Sequence, residues 1–368
     1  MAKSIIFIRV DSSETIGTGH FWRCYKIARK LTEYGKSVEF ITASMLIQHR
    51  NLLNEDGYEL HDISTSIQTG LIIREQMNGD YSSWLPTSEA EDALLSEEVI
   101  KSKLQNTCGI IIDHYAISKT WEEQISKLNL KIIVIDDLAN RSHNCSILID
   151  QNSFGDISGE RYRDLCNFDC KFLLGSSYFM GEFQRRPKIY FRRRSQTRIL
   201  VYAGGTNDPK ILQKFATLAS HLYLQNRNVK IDFLFSKHLT KNMHLMRLVG
   251  QSNGRVIKFS PNFSNNLRNY DFMIGAGGTT LWEREYYNLP SALVSIAENQ
   301  VPILRSMASR GSIVYLGHIS SLKRTRIVNQ TIKALENLPL MRFKSRQLGL
   351  VDGLGLSRVT KEIASVCE

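Results

Sequence analysis

The 368-residue sequence predicts an α/β protein of two doubly wound, Rossmann-like domains facing each other across a cleft. Three observations lead there. An apolar run at Ile5 to Val10 passes through a glycine-bearing loop into a helix-spaced run from His20, the order of a βαβ unit. Apolar runs that end in acidic or polar residues recur at GIIIDHY, KIIVIDD and SILID, as expected of a parallel sheet whose carboxyl edge collects functional groups. The whole pattern then restarts after the basic stretch RRPKIYFRRRSQTR.

In order, the elements are a strand at Ile5 to Val10, a helix from about His20 to Tyr34, and a strand at Ser37 to Thr42. Residues 43 to 107 are less regular, with a helical run from about Ser88 to Leu104. Strands follow at Gly109 to Tyr115, Lys131 to Asp137 and Ser146 to Asp150. We expect the first domain over residues 1–184, a linker over 185–198 and the second domain over 199–368. In the second domain, the strand Ile199 to Ala203 leads through the loop Gly204 to Pro209 into a helix reaching about Leu224. Strands at Val229 to Phe235, Val256 to Phe259 and Asp271 to Ile274 precede a second glycine loop, Gly275 to Thr280, and a helix at Leu281 to Tyr287.

Composition narrows the function. The hydrophobic share of 42% can fill two cores, and no run approaches the ~18 apolar residues of a membrane span. A soluble cytoplasmic protein with no targeting segment and no stable membrane insertion is expected. The net charge of +11 is uneven: residues 1–184 carry 18 Lys+Arg against 26 Asp+Glu, and the remainder 29 against 10. Such a basic half is either solvated surface or a surface for phosphate-bearing molecules. Nucleic acid is not expected, because no recognition-helix pattern, zinc-finger spacing or aromatic RNA motif accompanies the charge. Of the six cysteines only Cys166 and Cys170 are near one another in sequence, so reduced thiols are expected, with no disulfide framework, no zinc site and no other metal.

The loops carry the chemistry. Gly17 and Gly19 let a ligand approach the backbone at a helix start, but Trp22 stands where a dinucleotide fingerprint needs its third glycine. His20 opens that helix and would meet such a ligand, although its position alone suits a capping or packing histidine equally well. Asp11 either orients His20 or a sugar hydroxyl, or is a turn residue before the helix. His114 either lines the cleft or is a hydrogen-bonded structural histidine. Asp136 and Asp137 point to opposite faces of a strand end, which argues against a metal pair. The loop GAGGTTLWERE offers N–H and hydroxyl donors from Gly277, Gly278, Thr279 and Thr280 to a diphosphate, with Glu283 placed for ribose hydroxyls, unless its glycines serve only a tight turn. Gly205, Thr206 and Asn207 are the matching candidates in the first glycine loop of the second domain. Arg23 and Gln300 join the substrate-binding set.

IRVDSSETIGTGHFWRC, IIDHY, VIDDLANRSHNCSILIDQN, GAGGTTLWEREYYNLPS and AENQ together resemble the UDP-sugar hydrolase family of pseudaminic acid biosynthesis. DYSSWLPTSEAEDA, FLLGSSYF and VDGLGLSRV extend the likeness along nearly the whole chain. The resemblance implies a GT-B-like architecture and removal of UDP from UDP-2,4-diacetamido-2,4,6-trideoxy-β-L-altropyranose, without metal or other cofactor. It implies that His20 is the base activating water, that Tyr115 and Asn299 lie at the sugar, and that Gly277 to Thr280 and Glu283 hold UDP. Pro86, Asn207 and Ser176-Ser177 depart from the family pattern, with sugar fit and the contacts of the Gly204 to Pro209 loop at stake. Hydrolysis at an anomeric carbon needs an aligned water, a group to take its proton and stabilisation of the departing diphosphate; His20 and the glycine loops suit the last two needs. The partner expected is a UDP-sugar, the oligomeric state favoured is monomer, and the resemblance implies direct attack of water at C1 with inversion. A GT-B glycosyltransferase and a non-catalytic UDP-sugar-binding protein are the alternatives.

Overall fold

The computed structural model describes residues 4–67, 81–154, 159–184, 195–204, 208–235, 237–258, 263–278 and 280–368. It divides into two compact units, Met1–Gly181 with Leu354–Glu368, and Glu182–Gly353.

The first unit begins with β1 (Ile5–Val10), α1 (Gly19–Glu33), β2 (Ser37–Thr42), α2 (Ile47–Glu55) and β3 (Glu59–Asp62). It continues through α3 (Glu89–Lys101), β4 (Thr107–Asp113), α4 (Lys119–Ser126), β5 (Lys131–Ile135), β6 (Ile147–Asp150) and β7 (Lys171–Leu174). Its seven strands lie in the order β3-β2-β1-β4-β5-β6-β7, all pairs parallel. Every side chain of β1 is buried, because helices cover both faces of a parallel sheet. The helices start where the sequence can cap them: Ser88 accepts from Glu91 N–H at the head of α3, and Ser118 from Thr120 N–H at the head of α4.

The second unit holds β8 (Thr197–Tyr202), α5 (Pro209–Gln225), β9 (Val229–Leu234), α6 (Met243–Gln251), β10 (Arg255–Ile257) and α7 (Phe263–Asn266). Then come β11 (Phe272–Ala276), α8 (Thr280–Tyr286), β12 (Ser291–Ser295), α9 (Val301–Ser309), β13 (Ile313–His318), α10 (Arg324–Glu336) and α11 (Leu338–Leu348). Its six parallel strands run β10-β9-β8-β11-β12-β13. Asp208 caps α5, with Pro209 in its first turn, where a missing N–H costs no hydrogen bond.

In both sheets the strand order reverses beside the first strand, between β1 and β4 and between β8 and β11. Loops leaving neighbouring strands there go to opposite faces and leave a crevice at the carboxyl edge, the usual ligand position of doubly wound sheets.

One boundary differs from expectation. The closing helix α12 (Gly355–Val366) falls in the first unit, not the second. Its Leu356, Val359 and Ile363 join the core that also contains Ile6, Ile8, Phe21 and Ala28, and Lys36 Nζ donates to Cys367 O at 2.8 Å. An amphipathic helix goes to whichever core its apolar stripe completes, and chain order alone does not reveal which. Most of the expected linker, residues 185–194, lies outside the described residues.

Candidate functional site

The carboxyl ends of β1, β4 and β5 build a polar cluster from residues far apart in sequence. After β1, the loop turns at Gly17, whose φ of +83° an L side chain rarely adopts and whose N–H donates to Ser13 O at 2.8 Å. α1 then places His20 and Arg23 one turn apart. β4 delivers Asp113 at its last position, with His114 and Tyr115 directly after, and the end of β5 delivers Asp136 and Asp137.

His20 Nδ1 lies 2.6 Å from Asp113 Oδ1. Arg23 grips the same carboxylate from both sides, Nε to Oδ2 and Nη2 to Oδ1, the latter at 2.6 Å. Arg23 Nη1 reaches Asp137 Oδ2 at 2.6 Å, and Tyr115 O–H donates to that oxygen at 2.7 Å. Asn152 Nδ2 completes Asp137 from the other side at 2.9 Å. Burial works to raise the Asp113 pKa, but Arg23 and then His20 outweigh it and hold the carboxyl well below its usual range. An ionised carboxylate only accepts hydrogen bonds, so Nδ1 of His20 must carry a proton, which in neutral imidazole leaves Nε2 as an acceptor. This is the arrangement in which a buried carboxylate orients a histidine base.

An aromatic wall flanks the histidine. Tyr115 meets its ring edge-on with centroids 4.5 Å apart, and Trp84 does so at 5.6 Å. Trp84 stacks on Tyr115 at 5.3 Å, with Tyr81 edge-on to both. Burial, then the charge of Asp137, pushes the Tyr115 phenol well above its usual value, so it remains a donor. Beside Trp84 is a recess of about 190 Å³ lined by Ser13, Thr15, Ile16, Ser44, Ser83, Trp84 and Pro86. Among the described residues, Ser83 Oγ and Trp84 Nε1 are buried without hydrogen-bond partners. Such groups are costly to leave dry and unpaired, and a ligand could satisfy both.

Asp11 and His114 occupy a separate, deeper network. Asp11 is fully buried; Arg9 Nη1 donates to it at 2.5 Å, and Thr42 Oγ1 and Ala43 N–H each do so at 2.8 Å. His114 Nε2 is 3.3 Å from its other oxygen. Arg9 also holds Asp92 of α3, so this network ties β1 to its helix layer. Of the roles open to Asp11, orienting His20 falls instead to Asp113. Arg23, counted among substrate ligands, spends its guanidinium on Asp113 and Asp137. Asp136 pairs with Arg141 at 2.7 Å and accepts from Ala139 N–H, so the two adjacent aspartates do serve different partners.

In the second unit, the corresponding switch point brings Gly275, Gly277, Gly278, Thr280, Glu283, Asn299 and Gln300 onto β11, the loop after it, α8 and the turn after β12. Gly275 is required by packing: a Cβ there would sit 2.0 Å from Tyr202 O. Gly277 N–H donates to Val294 O at 3.0 Å, and Gln300 Oε1 accepts from Ile296 N–H at 2.9 Å. Glu283 Oε1 accepts from Ser264 Oγ at 2.6 Å. Asn299 is exposed in the short turn Glu298–Gln300. Gly205, Thr206, Asn207 and Thr279 lie outside the described residues.

Position in sequence missed Asp113, Asp137, Trp84 and Asn152 as parts of the cluster. The available signal was the repeated termination of apolar strands in aspartate, at Asp113 and Asp136-Asp137, because adjacent parallel strands align such ends. The cysteines are free thiols, and Cys145, 21 positions before Cys166, has its sulfur 3.6 Å from that of Cys170.

No family model matches the chain. It is 26% identical over 254 residues to a UDP-2,4-diacetamido-2,4,6-trideoxy-beta-L-altropyranose hydrolase of Campylobacter jejuni, covering 61% of this chain and 79% of the relative. It is 22% identical over 248 residues to the spore coat polysaccharide biosynthesis protein SpsG of Bacillus subtilis, covering 66% and 72%. The family resemblance seen in the motifs is thus matched over about 60% of the chain. The crystal structure of MurG from Acinetobacter baumannii superposes with a TM-score of 0.68 at 12% identity, over 99% of this chain and 100% of that one. The fold is of the GT-B type.

Proposed function

We propose that this chain is a nucleotide-sugar hydrolase that releases UDP from a UDP-2,4-diacetamido-2,4,6-trideoxyhexose. The observation that carries the reading is the His20–Asp113 pair at 2.6 Å, held by Arg23 against an aromatic wall. In the reaction, His20 Nε2 takes a proton from water as the water oxygen bonds to C1. The C1–oxygen bond to UDP breaks on the opposite side, and its electron pair leaves with the diphosphate, giving inversion. Asp113 stabilises the imidazolium formed, and positions the ring without touching substrate. Tyr115 and Asn299 contact the sugar in this reading, and the unpaired Ser83 hydroxyl and Trp84 N–H suit an acetamido carbonyl in the adjoining recess. Gly277, Gly278 and Thr280 face the diphosphate, and Glu283 the ribose hydroxyls. The likeness to the Campylobacter jejuni hydrolase supports the substrate class. The chain acts in this reading as a soluble cytoplasmic monomer, and among the described residues no helix is long and apolar enough to cross a membrane.

The GT-B fold favours a second reading, transfer of the sugar to an acceptor alcohol. Turnover of the UDP-sugar in water alone separates the two: a hydrolase needs no acceptor, whereas a transferase releases UDP slowly until one is added. His20→Ala tests the site itself. We expect turnover to be abolished with UDP affinity within a few-fold of wild type, because the UDP loop belongs to the other unit. Near-normal hydrolysis by this variant removes His20 from the mechanism.

A further inference from the structure

Away from the switch points, three thiols of the first unit converge. Cys145 precedes β6, and Cys166 and Cys170 precede β7. The backbone brings them together: His143 pairs with Cys166 in an isolated parallel bridge, Cys145 N–H donates to Asn167 Oδ1 at 3.0 Å, and Cys170 N–H donates to Asn167 O at 3.1 Å. Cys145 and Cys170 are 3% and 8% exposed, while Cys166 is half-buried. The Cys145 and Cys170 sulfurs are 3.6 Å apart, and all three ligand atoms lie within 4.8 Å of one another.

We propose that Cys145, Cys166 and Cys170 form a binding site for one thiophilic divalent cation of the zinc class, stapling the entry of β6 to the segment before β7. A tetrahedral zinc with bonds of about 2.3 Å to sulfur separates its sulfurs by about 3.8 Å, close to the spacing observed. The spacing of Cys166 and Cys170, three residues between them, is that of a zinc-binding cysteine pair. All three cysteines are free thiols. A disulfide would use two sulfurs and leave the third crowded against it, whereas a metal uses all three and leaves the fourth tetrahedral corner for a water. Binding converts three thiols to thiolates and releases three protons. A second grouping, Glu39, Glu59 and His61, meets a different need: Lys103 Nζ already supplies its cation, 2.9 Å from Glu39 and 2.6 Å from Glu59.

The site is independent of the proposed reaction. The full chain, reduced and freed of metal by a chelator, is titrated anaerobically with cobalt(II) and then zinc(II). One equivalent of cobalt should produce thiolate charge-transfer absorption and the intense visible bands of tetrahedral coordination, and zinc should displace both. Zinc should raise the melting temperature of wild type and not of Cys166→Ser, a change at the least buried ligand. Cys145→Ser and Cys170→Ser should each lose the cobalt bands. The proposal is overturned by absence of thiolate bands in the reduced wild-type protein, by equal cobalt spectra in the serine variants, or by a mapped Cys145–Cys170 disulfide in protein that takes up no metal after reduction.

Discussion

Replacing Asp113 by asparagine removes the charge on which the His20 arrangement depends while keeping the side chain's size. The carboxylate is fully buried, 2.6 Å from both His20 Nδ1 and Arg23 Nη2. An amide has one acceptor oxygen where the carboxylate has two, so its NH₂ must face either the Nδ1–H of His20 or the guanidinium. Removing one partner of a buried ion pair costs about 3 to 5 kcal/mol, and Arg23 keeps Asp137, which places the expected loss near the lower end, about 3 kcal/mol. The chemical step should suffer more specifically. Without the carboxylate, His20 is free to take the wrong tautomer and its imidazolium loses its counter-charge, so kcat should fall by about 10²- to 10⁴-fold, or about 2.7 to 5.4 kcal/mol in the barrier. Urea unfolding gives the stability change, UDP calorimetry checks that nucleotide affinity is retained, and steady-state UDP release gives kcat. A folded Asp113→Asn protein with kcat within about threefold of wild type, under 1 kcal/mol, would refute the positioning argument.

Two further outcomes follow from other parts of the molecule. Glu283→Ala should weaken UDP binding by about 1 to 3 kcal/mol, the cost of losing a charged hydrogen-bond partner, and an unchanged dissociation constant removes the ribose role. His49 stacks on Phe21 with centroids 3.8 Å apart, and burial lowers its pKa to about 4 from 6.5. The unfolded chain therefore binds more protons between these values, so this histidine's contribution to stability is complete above pH 6.5 and is lost as pH falls toward 4. Urea midpoints measured across that window should decline for wild type and less for His49→Gln; identical slopes would mean that His49 is not the group responsible.

Much of the frame was legible because parallel strands buried on both faces have few alternatives. IIFIRV, the apolar part of GIIIDHY and KIIVI became β1, β4 and β5 within a residue or two at most ends, and the restart at β8 marked the second unit. Strand β3, ELHD, was not legible: an edge strand with a half-exposed polar pattern carries no apolar run to detect. The placement of α12 was hidden for another reason, since an apolar stripe specifies that a helix must pack but not against which core. At the candidate site, His20 and Tyr115 stood out through motif resemblance. Asp113 did not, because its role arises only when β4 is aligned beside β1, 93 residues from His20. Sequence left Asp11 open between orienting His20 or a sugar hydroxyl and serving as a turn residue; Arg9, two positions before it on the same side of the strand, claims its carboxylate. The three cysteines were likewise invisible as a group until β6 and β7 were paired.

The most direct test of the account is hydrolysis in heavy-oxygen water, with a UDP-2,4-diacetamido-2,4,6-trideoxyhexose as the only other reactant. NMR and mass spectrometry of the first products locate the label and the configuration at C1. A His20-activated water attacking carbon predicts UDP release without acceptor, label on the sugar and none on UDP, and an inverted anomer. Label in the β-phosphate of UDP, a retained anomer, or no release until an acceptor alcohol is supplied would contradict it.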